Sequence, residues 1–446
     1  MENRNSTDRL SAMSVVIVIF IGGAVLCAAA TGSMREISDA SFNAAKDAVS
    51  LAISLIGIMA LWLGLVRILE VGGFMHTLAR FLHPVMAKLF PEIPREHPAM
   101  SAMVLNISAN MLGLGNAATP LGIKAMTELN RINPIQGTAT NAMCLFVALH
   151  TSSITLFPLG TIGVRAAAGA QNPANIFLPT LISSIIATVS GCAIAMFLAK
   201  RDKGYIDEVA STKLDIEFQV QEEQKETPLQ DFSSLKQETN SKRKFVAFAL
   251  ILLLFFTMLA RALNTESLIS FLRDDLLSYW LIPILMLLIL SYGLYTGVKL
   301  YEAVTDGAKQ GFEVAIRIIP FLVIILVSIA MFRASGAMDF VAQILAPFTT
   351  MIGMPAEVLP MALVRPLSGS GAFAIMSSIV QQDPNSYSAF LASVIQGAMD
   401  TTFYIVAIYF GAVKVSRVRH AIIAGLSADI IGIIAACFVS AFFWGL

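Results

Sequence analysis

Residues 45–86 read AKDAVSLAISLIGIMALWLGLVRILEVGGFMHTLARFLHPVM, and 263 positions later residues 308–349 read AKQGFEVAIRIIPFLVIILVSIAMFRASGAMDFVAQILAPFT. The two stretches align without a gap and share 11 of 42 positions, among them Lys46/Lys309, Gly73/Gly336, Met75/Met338 and Pro84/Pro347. Apolar helices draw on few residue types, so the identities alone are thin support. The sequence that follows each copy matches as well. A segment mixing apolar and polar residues comes first, then an apolar run with a polar cluster at its centre, then a last apolar run. The clusters are His150-Thr151-Ser152-Ser153 in one half and Asp400-Thr401-Thr402 in the other. The chain reads as an internal duplication.

Composition sets the medium. The 446 residues are 56% hydrophobic and 13% charged, with a mean hydropathy of +0.74; soluble domains carry about 25% charge. So little polar surface cannot coat a globule in water, and the apolar excess must face lipid. Runs at 13–30, 47–68, 138–160, 175–199, 245–262, 276–297, 313–332, 387–410 and 419–443 predict nine membrane spans. The first follows Arg4 and Arg9 and ends in three alanines, an outline a signal peptide shares, although a retained span is the expected reading. Soluble enzymes, nucleic-acid binders and disulfide-stapled domains are excluded. Cys27, Cys144, Cys192 and Cys437 stand singly, with no metal-ligand spacing.

Two apolar stretches cannot be straight lipid-facing helices. Residues 98–130 carry Asn106, Ser108, Asn110, Asn116 and Thr119 with several glycines, and 355–381 carry Arg365-Pro366-Leu367-Ser368-Gly369-Ser370-Gly371. Open backbone and polar side chains are tolerated at membrane depth only inside protein or beside water, which predicts re-entrant or broken-helix hairpins; interfacial loops are the alternative. Residues 73–90 and 336–350 predict amphipathic segments at the interface, with His76 and His83 as interfacial side chains rather than metal ligands. Residues 200–244 hold 9 Lys/Arg and 10 Asp/Glu and no span, the mark of a solvated linker, with a short amphipathic helix expected near 213–220.

If both hairpins return to the side they enter from, four spans separate the equivalent spans 47–68 and 313–332, and the halves are inverted. Charge agrees. With the amino terminus and linker in the cytoplasm, 22 Lys/Arg lie inside and 6 outside, leaving Arg317 and Arg365 at membrane depth. Inverted repeats with interrupted helices place a site at the repeat interface and give alternating access about it.

Candidate site residues are the polar groups at that depth. Asp400 requires a partner or water, and Arg365 is the expected counter-ion, in a functional path or in a structural pair. At matched positions the first half has Asn106 and His150, the latter either a proton carrier or an interior hydrogen-bonding group. Ser108, Asn110, Asn116, Thr151, Ser152, Ser368, Ser370, Thr401 and Thr402 complete the set, as ligand contacts or helix–helix bonds. No Walker motif, HExxH, GxSxG or metal-spaced carboxylate cluster occurs, so no catalytic residue, cofactor or metal is expected.

Residues Leu105-Asn106-Ile107-Ser108-Ala109-Asn110-Met111-Leu112-Gly113-Leu114-Gly115-Asn116-Ala117-Ala118-Thr119-Pro120 resemble the signature of the spore maturation protein A family. Residues Arg365-Pro366-Leu367-Ser368-Gly369-Ser370-Gly371-Ala372-Phe373 resemble that of spore maturation protein B. Both belong to a gate-domain, or nucleoside-recognition, superfamily. The resemblance implies a fusion, with 1–199 as the A-like repeat, 200–244 as a cytoplasmic linker and 245–446 as the B-like repeat. The expected fold is an all-α polytopic membrane protein of about nine transmembrane helices plus two re-entrant or broken-helix hairpins in two inverted gate-type repeats. The expected function is a secondary transporter or permease of the inner membrane for a small polar solute, a nucleoside-like one among the candidates; the resemblance does not fix the substrate. The alternative is a non-transporting assembly factor in envelope or spore maturation. The expected partners are the lipid bilayer, the solute and a coupling ion, with no nucleic acid; a homo-oligomer fits equally.

Overall fold

A computed structural model describes residues 12–113, 115–212, 233–263 and 280–445. Leu114 and the helix expected near 213–220 lie outside them. Every long element among the described residues is a helix; the only β features are two isolated bridges.

Helix bounds in the two halves correspond. Helices α1 (Ala12–Thr31), α2 (Met34–Gly72) and α3 (Phe74–Leu89) open the first half. In the second half α10 (Ser241–Leu263) and α11 (Leu281–Thr296) precede α12 (Leu300–Ala334) and α13 (Ala337–Met351). Subtracting 263 from the bounds of α12 and α13 gives 37–71 and 74–88, almost those of α2 and α3. Each pair is joined by a glycine in the left-handed region, Gly73 at φ 82° and Gly336 at φ 80°. A Cβ is strained there, and this is why the glycine recurs. At Gly73 the chain turns by 68°.

Helices α2 and α12 make the most extensive helix–helix contact in the fold. Small residues bring the backbones together: a Cβ at Gly64 would meet Val304 O at 2.8 Å, and one at Gly307 would meet Gly64 Cα at 2.8 Å. Arg67 bridges Glu70 and Asp306 there. At the other end Cys27, near the end of α1, donates to Ser335 O just after α12. The end of α2 therefore lies by the start of α12, and the two helices run antiparallel. Helix α1 is built into this core, with Phe20 edge-on to Phe332 at 5.0 Å.

Both mixed segments are helical hairpins. Helices α4 (Pro98–Met111) and α5 (Gly115–Arg131) form the first, and α14 (Leu359–Val364) and α15 (Gly369–Gln382) the second. The runs at 138–160 and 387–410 depart from expectation, because each is interrupted. Helix α6 (Asn141–Thr151) stops and α7 (Leu159–Ala167) resumes eight residues later; α16 (Tyr387–Ala398) and α17 (Thr402–Ala412) are separated by Met399–Thr401. Helices α8 (Phe177–Arg201) and α18 (Ala421–Trp444) close the halves and pack together.

By length and composition four segments among the described residues can cross a bilayer: Pro173–Arg201, Ser241–Leu263, Tyr387–Ala412 and Ala421–Trp444. The bent pair Ala60–Gly72 with Phe74–Leu89 makes a fifth. Shorter apolar helices at Ile17–Thr31, Asn141–Thr151, Ile282–Thr296 and Val323–Ala334 fall on other runs read as spans. Helix α10 exposes Phe245, Phe248, Leu253, Phe255 and Phe256, a surface suited to lipid and not to water. The protein is a multi-pass membrane protein.

The start of the charged linker is not a solvated connector. Helix α9 (Lys203–Thr212) docks through buried Tyr205, with the Arg419 guanidinium 3.4 Å from its ring centroid. Asp202 accepts from Arg419 at 2.7 Å and from the Tyr205 amide at 3.2 Å. Burial pushes the Asp202 carboxyl up, but those two donors hold it below its ordinary value of 3.8. A depressed folded value means stability that is present above 3.8 and lost as pH falls through the lower folded value. Asp202→Asn is thus expected to lower unfolding stability by about 1 kcal/mol at neutral pH and by nothing in strong acid. Thermal unfolding at both pH values checks this; an equal penalty at both would contradict it.

Candidate functional site

The two helix breaks meet. The Asp400 amide, in the α16–α17 break, donates to Thr151 O at the end of α6 at 2.7 Å. Each hairpin tip also touches its own half at or beside the break: Leu156 N donates to Met111 O at 3.0 Å, and Phe403 N, in the first turn of α17, to Pro366 O at 3.1 Å. Backbone groups freed by interrupting two helices are thus satisfied across the junction, as burial requires.

The sequence explains both interruptions locally. In α6 the hydroxyls of Thr151 and Ser152 both bond to Ala148 O, competing with helix continuation, and Pro158 lies ahead of α7. In the second half Arg365 takes the carbonyls that a continuing helix would use. Its Nη2 donates to Gln396 O at 3.3 Å and to Met399 O, and its Nη1 to Thr401 Oγ1 at 2.9 Å. Asp400 Oδ1 accepts from the Thr401 amide at 2.7 Å.

This corrects the expected ion pair. Arg365 and Asp400 are not within 4 Å of each other; the guanidinium caps the C-terminal end of α16, where the carbonyls point and the helix dipole is negative. Asp400 Oδ2 instead faces His150 Nε2 at 3.7 Å. The opposite face of His150 lies in a buried polar group. Asn106 Oδ1 and Tyr409 OH are each 2.9 Å from Nδ1, and Asn110 Nδ2 is 3.0 Å from it. Asn106 Nδ2 also donates to Ala118 O at 2.6 Å, tying the two arms of the first hairpin. The tautomer of His150 decides which neighbour donates. Phe146 stacks on Tyr409, ring centroids 5.7 Å apart, and seals this side.

Accessibility separates the members. The His150 side chain is 2% exposed, while that of Asp400 is 42% exposed. Asn110, Ser368 and Ser370 are half-buried. The network is therefore closed around His150 and opens at Asp400.

Asn106, Asn110, His150, Arg365, Asp400, Thr401 and Thr402 are brought into one connected cluster. Ser368 caps α15 by accepting from Gly371 N, with Ser370 Oγ 3.4 Å away, and Gly369 packs against Thr401. Ser108, Thr151 and Ser152 use their hydroxyls on Val104 O and Ala148 O and serve the helices instead. The side chain of Asn116 lies outside the described residues. Two members were not anticipated. Tyr409 carries no sequence signal beyond being a tyrosine in an apolar run. Asp429 did carry one, a carboxylate inside the last span: fully buried in α18, it accepts from Thr402 Oγ1 at 2.7 Å. No group of three or more His, Cys, Asp or Glu suited to a metal occurs among the described residues.

Residues 52–168 and 315–416 match the Gate family, described as nucleoside recognition; the two stretches contain both hairpins and both breaks. The chain is similar to spore maturation protein B of Bacillus subtilis (strain 168), 44% identical over 170 residues, which is 38% of this chain and 96% of that protein. It is likewise similar to spore maturation protein A of the same organism, 38% identical over 172 residues, which is 39% of this chain and 88% of that protein. No solved structure matches.

Proposed function

The chain belongs to the family of spore maturation proteins A and B, which carry the Gate or nucleoside-recognition domain, and from that premise we propose that it is a secondary transporter or permease for a small polar solute. One observation carries the reading: two interrupted helices, one from each half, meet at the Asp400–Thr151 backbone bond beside an accessible carboxylate. Irregular backbone at membrane depth beside half-helix ends is how inverted-repeat transporters build their central sites.

In this reading the A-like repeat covers 1–199 and the B-like repeat 245–446, inverted in an inner membrane crossed nine times. The amino terminus and the 200–244 linker are cytoplasmic. The antiparallel course of α2 and α12 supports the inversion. Asp400, Asn110 and the hydroxyls of Ser368 and Ser370 contact the solute, for which a hydroxyl-rich, nucleoside-like molecule is the first candidate. Arg365 and Asn106 hold the broken elements in place, and no bond-making chemistry is assigned. Rocking of the two halves about the Asp400–Thr151 junction alternates access.

The test uses the purified chain in nanodiscs and proteoliposomes. Nucleosides, amino acids, cell-wall precursors and Na⁺ are screened by thermal shift, and any hit is followed as flux. A ligand at 100 times its Kd adds about 2.7 kcal/mol. The expected result is a solute that shifts the wild type, crosses the membrane, and does neither with Asp400→Asn. If nothing shifts the wild type and Asp400→Asn is only less stable, the site is structural, and a non-transporting role in envelope assembly takes its place.

A further inference from the structure

Asp429 is the one member of the cluster outside both Gate-matched stretches. It sits between Gly425 and Gly432 on one face of α18, at spacings of four and three residues. A Cβ at Gly425 would meet Thr402 Cγ2 at 2.6 Å, and one at Gly432 would meet Met399 Cε at 2.9 Å. The two glycines therefore press the face bearing Asp429 onto the 399–402 break. Its Oδ2 accepts from Thr402, while its Oδ1 has no hydrogen-bond partner, and the residue is fully buried. Neighbouring threonines at the start of α17 thus hold opposite groups: Arg365 on Thr401, Asp429 on Thr402.

Counting charge in this cluster gives one fixed cation, Arg365, and two carboxylates. With Asp400 and Asp429 both ionised, two carboxylates share that one fixed cation. Asp400 has an amide donor, His150 and water access to support its ionised form. Asp429 has one hydroxyl. A carboxyl group needs no extra space to accept a proton, and burying it neutral avoids most of the cost of a buried ion.

We infer that Asp429 binds a proton in this conformation and releases it when the α16–α17 break rearranges, so that the proton is the coupled ion. The step is carboxylic acid to carboxylate plus a proton, which passes to water once the rearranged break opens Asp429 to it. The proton site stands on its own; the coupling rests on the transport reading above. The charged groups acting on Asp429 are Arg365 and Asp400. The other titratable side chains on the inner stretches of the elements packed against α18 are Cys144 and His150 of α6, Cys192 of α8, Tyr387 of α16, and Tyr404 and Tyr409 of α17.

The experiment is infrared difference spectroscopy of the whole protein in nanodiscs across a pH series, without solute. The expected result is a protonated-carboxyl C=O band that disappears as pH rises, is lost in Asp429→Asn and survives in Asp400→Asn. Because asparagine matches the neutral acid in shape, Asp429→Asn should fold; Thr402→Val, which removes only the bonded hydroxyl, should shift both band position and titration midpoint. A band that is absent, does not respond to pH, or persists in Asp429→Asn overturns the site. Flux in proteoliposomes then isolates the coupling. With an imposed pH gradient the wild type should move solute faster than without one, and in Asp429→Asn that ratio should fall to one. A titrating band with no flux of any solute defeats the transport reading and leaves the proton site; flux indifferent to the gradient defeats the coupling.

Discussion

Arg365→Ala is expected to destabilise the protein by about 3–5 kcal/mol, enough to remove a large part of a typical stability of about 5–15 kcal/mol. The magnitude follows from what the guanidinium leaves behind. It is buried and donates to Gln396 O, Met399 O and Thr401 Oγ1. Charge-assisted bonds contribute roughly 1.5–3 kcal/mol each, and a buried carbonyl left without a donor costs about 1–3 kcal/mol. An apolar replacement cannot recover this, because the acceptors are main-chain atoms at a helix end and cannot be replaced along with the arginine. Arg365→Lys should fall between, since an ammonium is a point charge that cannot fork to carbonyls three residues apart. Thermal unfolding in nanodiscs measures the loss, and hydrogen exchange at 396–403 should rise selectively. A change under about 1 kcal/mol would mean that the break is held by something other than Arg365.

That arginine also shows how far the sequence could be read. An arginine and an aspartate in one half of an apolar chain invite pairing, and the pair was expected. Helix-end carbonyls form a competing acceptor, but they exist only once the helix is broken, and the break is itself produced by the arginine. Such a loop of cause is invisible to a window of sequence. The runs 138–160 and 387–410 look continuous for the same reason, since the Asp400–Thr151 bond that stabilises both interruptions joins residues about 250 positions apart.

Features set by local chemistry were legible. Gly73 and Gly336 mark the same left-handed turn in both halves. The asparagines of 98–130 and the Ser-Gly-Ser-Gly of 368–371 marked hairpins, because neither could face lipid as a straight helix. Asp429 was within reach too, by the rule that flagged Asp400, but it was absorbed into a final span that otherwise reads as plain lipid-facing helix. The docking of 202–212 was not within reach, since its composition is that of a solvated linker. It is recruited by Arg419, one of the cations that charge counting places on the inside without naming a partner.

The fit between the halves gives the last prediction, at Gly122. This residue lies in α5, in the first half, and a Cβ built on it would land on the Tyr409 hydroxyl and come within 2.7 Å of the ring carbon Cε1. Tyr409 belongs to the second half, is fully buried, and is stacked on Phe146, so its ring has nowhere to retreat. Gly122→Ala is therefore expected to cost about 1–3 kcal/mol, the range for overpacking a dense interior. Displacing the phenol also removes its oxygen from between Asn106 and His150, so any solute-induced thermal shift should weaken beyond what the stability loss explains. A second substitution separates this cause from helix propensity, which favours alanine over glycine by about 1 kcal/mol and opposes the loss. Tyr409→Leu removes the ring that the new methyl strikes. In that background Gly122→Ala should become neutral or stabilising, giving a coupling of at least about 1 kcal/mol in a double-mutant cycle. If the two substitutions instead add independently, α5 and α17 are not locked through this contact, and the position of His150 must be set by its contacts with Asn106 and Asn110.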